Sequence, residues 1–225
     1  DTLEKYARYF GLGSKTGVEL PDEASGLVAS RNTASGEPWY PGNITSASIG
    51  QGENQCSPLQ IAQYISMLTN GGKPVETTII KSIIRPDGTE VPREEYEQKI
   101  NEKLGITERQ IEDLQINQEN LNAVLSGMKS VAMQGGTAYN IFRTFNIEIG
   151  GKTGSAEAGK NVNAWFAGFA PYENPEIAVV VFIENGGHGN YSGEAVRNIM
   201  NQYFGMNINQ VHENMTAIPY TELFR

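Results

Sequence analysis

Cysteine occurs once in the 225 residues, at Cys56, so no disulfide can form within the chain and the redox compartment stays open. Histidine occurs only at His188, flanked by glycines, and at His212, near the C-terminus, which leaves no cluster of metal-ligand spacing. Basic residues are scarce: 17 Lys and Arg stand against 26 Asp and Glu, giving a net charge of −9 and a pI of about 4.8. A phosphate backbone would meet no cationic surplus, which excludes nucleic acid as a partner. No run approaches the roughly 20 apolar residues of a membrane-crossing helix, and the opening DTLEKYARYF has neither signal-peptide nor transit-peptide character. A Gly-x-Ser-x-Gly elbow, an internal repeat and a low-complexity segment are missing as well.

What is there suffices for a core, with 39% apolar residues distributed in periodic stretches. Asp1 and Glu4 look like a capping box, followed by an apolar stripe of Leu3, Tyr6, Ala7 and Phe10. Residues 14–48 are rich in Gly, Ser, Pro, Asn and Thr and read as a long ordered loop. Ser57-Pro58 with Gln60 announces a helix from Pro58 to about Asn70, apolar around most of its surface and therefore buried. Residues 75–91 turn at Pro86-Asp87-Gly88 as a short hairpin. From Glu94 to Gln134 the pattern is helical, with Thr107 as a cap and the stripe Leu121, Val124, Leu125, Met128 and Val131 late in the run.

The period then changes. Phe145, Ile147 and Ile149 alternate with Thr144, Asn146 and Glu148, which predicts a strand with one wet face that runs into Gly151-Lys152-Thr153-Gly154. Residues 164–170 and 177–183 are almost continuously apolar, as strands buried on both faces are, and the Pro171–Pro175 segment joins them as a hairpin. A helix from Glu194 to Phe204 closes the pattern, with Ala195, Val196, Ile199, Met200 and Tyr203 turned inward. The sum is an antiparallel sheet whose interior strands need helices on both faces.

Gly151-Lys152-Thr153 is not a phosphate-binding loop, because the glycine required five places earlier is Asn146 and a strand follows where a helix should. On a strand, Lys-Thr-Gly suits recognition of a carboxylate beside a serine nucleophile. Lys152 offers a fixed positive charge and Thr153 a hydroxyl donor, while Gly154 leaves room for a ligand backbone. An edge strand can also pair with an extended peptide.

The run from Gly150 to Glu157, the segment Asn163-Ala164-Trp165-Phe166-Ala167-Gly168-Phe169-Ala170-Pro171 and the strand ending Glu184–Gly189 resemble the end of class B penicillin-binding transpeptidases, the elongation type above all. Further blocks agree in order: Phe10-Gly11-Leu12-Gly13, Thr16-Gly17, Leu20-Pro21, Ile49-Gly50-Gln51-Gly52, Ser57-Pro58-Leu59-Gln60, Gly127-Met128 and Gly136-Thr137-Ala138. The resemblance implies an α+β, serine β-lactamase/D,D-peptidase-like fold, with residues 1–205 as the C-terminal portion of one transpeptidase domain and 206–225 as a tail. It implies that Lys152, Thr153, Gly154 and Ser155 bind substrate, Lys152 and Thr153 holding the terminal carboxylate of a D-Ala-D-Ala stem peptide or of a β-lactam. The backbone N–H of Ser155 would be an oxyanion-hole donor and its hydroxyl would assist carboxylate binding. Ser155 stands where many relatives have threonine, and Asn163 where histidine or aspartate is more usual. No cofactor and no metal are implied. A membrane glycosyltransferase of the elongation machinery is the implied protein partner, and the implied location is the extracytoplasmic side of the bacterial membrane, reached through an N-terminal anchor that this sequence does not contain.

The family also uses a Ser-x-x-Lys for the nucleophile and its base, then a Ser-x-Asn. Ser126-Gly127-Met128-Lys129 and Ser30-Arg31-Asn32 have those spacings, but in the inverted order, and Lys15-Thr16-Gly17 lies in a loop. All three read as coincidences, so the nucleophile helix and the first two strands of the fold are expected upstream of Asp1, and this chain alone is expected to be inactive. A β-lactamase or β-lactam sensor of the same fold, or a non-catalytic protein-binding module of a cell-wall complex, are the alternatives. A Ser-x-x-Lys upstream separates the enzymes from the module, and penicillin turnover separates a lactamase from a transpeptidase.

Overall fold

The computed structural model describes residues 2–31, 39–106 and 115–206. In chain order the elements are α1 (Thr2–Tyr9), α2 (Pro41–Ser48), α3 (Pro58–Thr69), α4 (Arg93–Leu104), α5 (Gln118–Ser130), α6 (Tyr139–Phe142), β1 (Gly150–Ala158), β2 (Asn161–Ala170), β3 (Ile177–Ile183) and α7 (Asn190–Tyr203). The three strands form one antiparallel sheet in the order β1-β2-β3. Two-residue side-chain alternation then divides the sheet into two faces. Phe166 and Ala170 of β2 and Val179 of β3 meet Ile141 and Phe142 of α6 and Val196 and Met200 of α7. Phe169 of β2 meets Ile65, Met67 and Leu68 of α3, Leu121 and Met128 of α5, and Tyr9 and Phe10. Helices thus cover both faces, as the continuous apolar runs of β2 and β3 require.

The entry to α3 is fixed by hydrogen bonds that its sequence announces. Ser57 Oγ accepts from the Gln60 backbone N–H at 3.1 Å, and Gln60 Oε1 accepts from the Ser57 N–H at 2.8 Å. Gln60 is wholly buried, and its amide donates to the carbonyls of Ser14 and Ser25 at 2.6 and 2.7 Å. One side chain therefore pins two turns of the long N-terminal loop to the central helix.

Four expectations need correction. The alternating stretch 144–149 is not a strand; its in-out burial is real, with Phe145 and Ile147 packed on the α6–α7 core, but the ladder begins only at Gly150. Alternation reports which side faces the core and says nothing of backbone pairing. The loop 14–48 contains α2, whose Gly, Ser, Thr and Asn content hides a helix that Pro41 in the first turn does announce. Helix α7 starts at Asn190, four residues earlier than expected, and its buried line runs through Ser192, Gly193, Val196 and Met200, leaving Ile199 and Tyr203 exposed. At α1, Leu3 and Tyr6 are exposed while Tyr9 and Phe10 carry the packing, and Glu4 pairs with Arg8.

The turn at Pro86-Asp87-Gly88 is present, with Asp87 accepting from the backbone and hydroxyl of Thr89 and one bridge joining Ile84 to Glu90. Asp1, Thr107 and His212, which carried expectations, lie outside the described residues.

Candidate functional site

Two phenylalanines build the root of β1. A Cβ on Gly150 would lie 2.3 Å from the Phe169 ring, and one on Gly151 would lie 2.8 Å from the Phe166 ring. These rings belong to the two opposite cores, so the strand enters between them and the paired glycines are the only residues thin enough to pass. Lys129 of α5 braces the same root from outside. Its ammonium lies 2.9 Å from Glu148 and 4.5 Å from the centre of the Tyr172 ring. The Glu148 hydrogen bond, first among the causes, holds the lysine above its ordinary pKa.

Beyond the root, the chain presents Lys152, Thr153, Gly154 and Ser155 along the outer strand of the sheet. Lys152 is exposed, and its Nζ donates to the Thr153 carbonyl at 2.6 Å. The Thr153 hydroxyl lies 3.0 Å from the hydroxyl of Thr137, which comes from the turn before α6. Ser155 is exposed, and its carbonyl accepts from Gln51 Nε2 at 3.2 Å. Residues of an antiparallel ladder turn alternately toward and away from the partner strand. The carbonyls of Thr153 and Ser155, both bonded to side chains, therefore mark the edge away from β2. A Cβ on Gly154 would come within 3.0 Å of Trp165 Cβ, so this glycine also fits β1 against β2.

Four sequence-predicted residues thus lie together on one free edge, and two more that sequence reasoning assigned no role, Thr137 and Gln51, reach it from distant loops. Both stood in blocks noted for their resemblance, Gly136-Thr137-Ala138 and Gly50-Gln51-Gly52, which was the available signal. Asn163 turns elsewhere and accepts from the Asn185 N–H at 2.9 Å, tying the start of β2 to the end of β3. His188 is exposed in the loop before α7. Among the described residues no group of three or more His, Cys, Asp or Glu could hold a metal ion.

The coincidental motifs sit elsewhere. Ser126 and Lys129 lie on α5, where the lysine serves the root of β1. Ser30 is buried and hydrogen-bonds to Glu4, and Asn32 lies outside the described residues. Thr16 and Gly17 wrap the Glu23 carboxylate through two backbone N–H groups and one hydroxyl. A cavity of about 590 Å³ lies between this loop and α4, and none of its lining residues is on the sheet. That cavity also gathers Lys15, Arg93 and the hydroxyls of Thr16, Thr77 and Thr78. At β1, by contrast, the Lys152 ammonium and the Thr153 and Thr137 hydroxyls meet on a strand edge that can pair with an extended peptide, which makes the edge the better candidate.

Comparison with known proteins finds relatives over most of the chain. Residues 1–204 match the penicillin binding protein transpeptidase domain. Penicillin-binding protein H of Bacillus subtilis is 34% identical over 195 residues, covering 80% of this chain and 25% of that protein. Peptidoglycan D,D-transpeptidase MrdA of Haemophilus influenzae is 28% identical over 240 residues, covering 95% of this chain and 34% of that protein. The crystal structure of Pseudomonas aeruginosa PBP2 in complex with WCK 5153 superimposes with a TM-score of 0.72 at 31% identity, over 87% of this chain and 42% of that one. The chain therefore spans a quarter to a third of the length of these two curated relatives. An antiparallel sheet entered between two phenylalanines, its edge bearing Lys-Thr-Gly, and a match over 204 of 225 residues lead to one conclusion: this chain belongs to the penicillin-binding protein transpeptidase domain family.

Proposed function

We propose that this chain supplies the carboxylate-binding edge of a peptidoglycan D,D-transpeptidase that cross-links stem peptides and is acylated by β-lactams. The observation that carries the proposal is the gathering at Thr153. The Lys152 ammonium and the hydroxyls of Thr153 and Thr137 meet at one half-buried residue on the edge of the outer strand. A terminal carboxylate arriving there replaces the Thr153 carbonyl as the partner of Lys152 and accepts from one or both hydroxyls. The rest of the peptide lies along the edge as an added strand.

The serine nucleophile and its base come from the part of the relatives' length that this chain does not span. In that mechanism the serine attacks the penultimate D-Ala carbonyl, D-Ala leaves, and an amine of a neighbouring stem peptide takes the acyl group. The Ser155 backbone faces the free edge, as the Gln51 bond to its carbonyl indicates, so its N–H is aimed where an oxyanion would develop. The substrate places the activity on the extracytoplasmic side of the membrane, with a polymerising glycosyltransferase as the partner that supplies glycan strands.

Lys152→Ala tests the assignment in a polypeptide that carries the nucleophile. Loss of a charge-assisted bond worth about 1.5–3 kcal/mol slows acylation by a fluorescent penicillin roughly ten- to hundredfold, with the melting temperature unchanged. Acylation at the wild-type rate would remove Lys152 from the site.

A further inference from the structure

We propose that the Gln51 side chain stands in for a ligand's amide N–H on the free edge of β1, and is displaced when a ligand bearing such an N–H docks. The inference rests on the transpeptidase function proposed above and names a specificity-determining residue for it. Gln51 Nε2 donates to the Ser155 carbonyl at 3.2 Å, across 104 positions of sequence. A primary carboxamide is the side chain closest in chemistry to a peptide group, and here it makes the bond that a neighbouring strand would make.

The loop that presents it is held by its backbone. The Gln51 N–H donates to the Ser46 carbonyl at 2.9 Å, and its own carbonyl accepts from Asn54 Nδ2 at 3.1 Å. Asn54 is fixed in turn, its Oδ1 accepting from the Ala29 N–H at 2.9 Å. Gly50 and Gly52 flank the residue at φ of +77° and +72°, where a side chain would strain the turn. The loop is therefore set by hydrogen bonds that do not involve the Gln51 carboxamide, and only that carboxamide need move.

An extended ligand pairing with this edge meets two carbonyls, those of Thr153 and Ser155, and both already have donors. The ligand carboxylate draws Lys152 away from the first. Nothing on the carboxylate end draws Gln51 away from the second. Its place is taken only by a ligand whose amide N–H reaches Ser155, and such a ligand exchanges one hydrogen bond for another. A ligand without that N–H leaves Gln51 where it is.

The test compares two probes on wild-type polypeptide carrying the nucleophile and on Gln51→Ala and Gln51→Met. One probe is a fluorescent penicillin, whose side chain is joined through an amide N–H. The other is a carbapenem, which lacks that group, followed by competition against the first. Removing the resident donor raises the second-order acylation rate with the penicillin roughly two- to tenfold, the range of one hydrogen bond. The carbapenem rate stays the same, and Gln51→Met, which keeps length without a donor, behaves as Gln51→Ala. An unchanged or slower penicillin rate, or equal changes with both probes, would overturn the proposal. Wild-type polypeptide inert to both probes would instead sink the transpeptidase function on which the inference stands.

Discussion

The edge of β1 and the flank around α4 are both exposed, yet they are held by different forces. β1 is gripped at its root by two rings that are themselves 0% and 1% exposed, and its free edge is backed by a sheet with a core on each face. α4 buries no residue, and its ties are ion pairs at the surface: Arg93 with Glu76 and Glu97, and Arg85 with Glu95. A cavity of about 590 Å³ lies beside α4, and Lys152, Thr153 and Thr137 meet at β1. Positioning groups to within a fraction of an ångström needs rigid backing, which apolar packing on both sides supplies and solvent-exposed charges do not.

Breaking each support separately tests this contrast. Gly150→Ala puts a methyl group 2.3 Å from the Phe169 ring, where neither the ring nor the strand has room to yield. Overpacking of this kind costs about 1–3 kcal/mol, read as a lowered urea midpoint. Arg93→Ala removes two exposed ion pairs, and the midpoint should not move measurably. Equal losses from the two substitutions would erase the distinction between the regions.

A smaller effect sharpens it at the edge itself. Thr137 contributes only a hydroxyl to Thr153, from a turn that α6 and the core hold in place. Thr137→Val keeps the volume and removes the donor, so acylation by a fluorescent penicillin should fall roughly two- to tenfold while stability is retained. A wild-type acylation rate in that variant would show that the hydroxyl pair is structural.

How much of this was legible in the residues depended on distance along the chain. Lys152, Thr153, Gly154 and Ser155 are consecutive, so a local motif revealed them together. β2 was visible because burial on both faces leaves a continuous apolar run, but the same run in β3 misled as to burial, since β3 is an outer strand that buries only Val179 and exposes Phe182. Gln51 and Thr137 were not assigned, because what they do depends on loops 104 and 16 positions away from their partners coming to the same edge. The double glycine at 150–151 received no role from the sequence, and only the packing explains it, since the rings that demand it lie across the hairpin at Phe169 and Phe166. Stretch 144–149 misled for the converse reason: a chain approaching a sheet can alternate in burial before it pairs.

The smallest effect concerns pH and distinguishes the two regions by protonation alone. Glu19 anchors the segment before α4, accepting from the Thr78 hydroxyl and from the Ile79 N–H at 3.0 Å. Burial pushes its pKa up, but the Thr78 and Ile79 hydrogen bonds outweigh that and hold it below the usual glutamate value. A carboxylate with a lowered folded pKa stabilises fully above its unfolded pKa and loses that contribution as pH falls through the folded one. Acidification below about pH 4 should therefore release the Ile79 amide to hydrogen exchange while the amides of β2, paired between β1 and β3, keep their protection. Glu19→Gln should leave Ile79 exchange free of this pH step, since the amide does not titrate. Loss of β2 protection at the same pH as Ile79 would mean that the flank and the sheet open as one unit, and the rigid edge would owe its shape to charge after all.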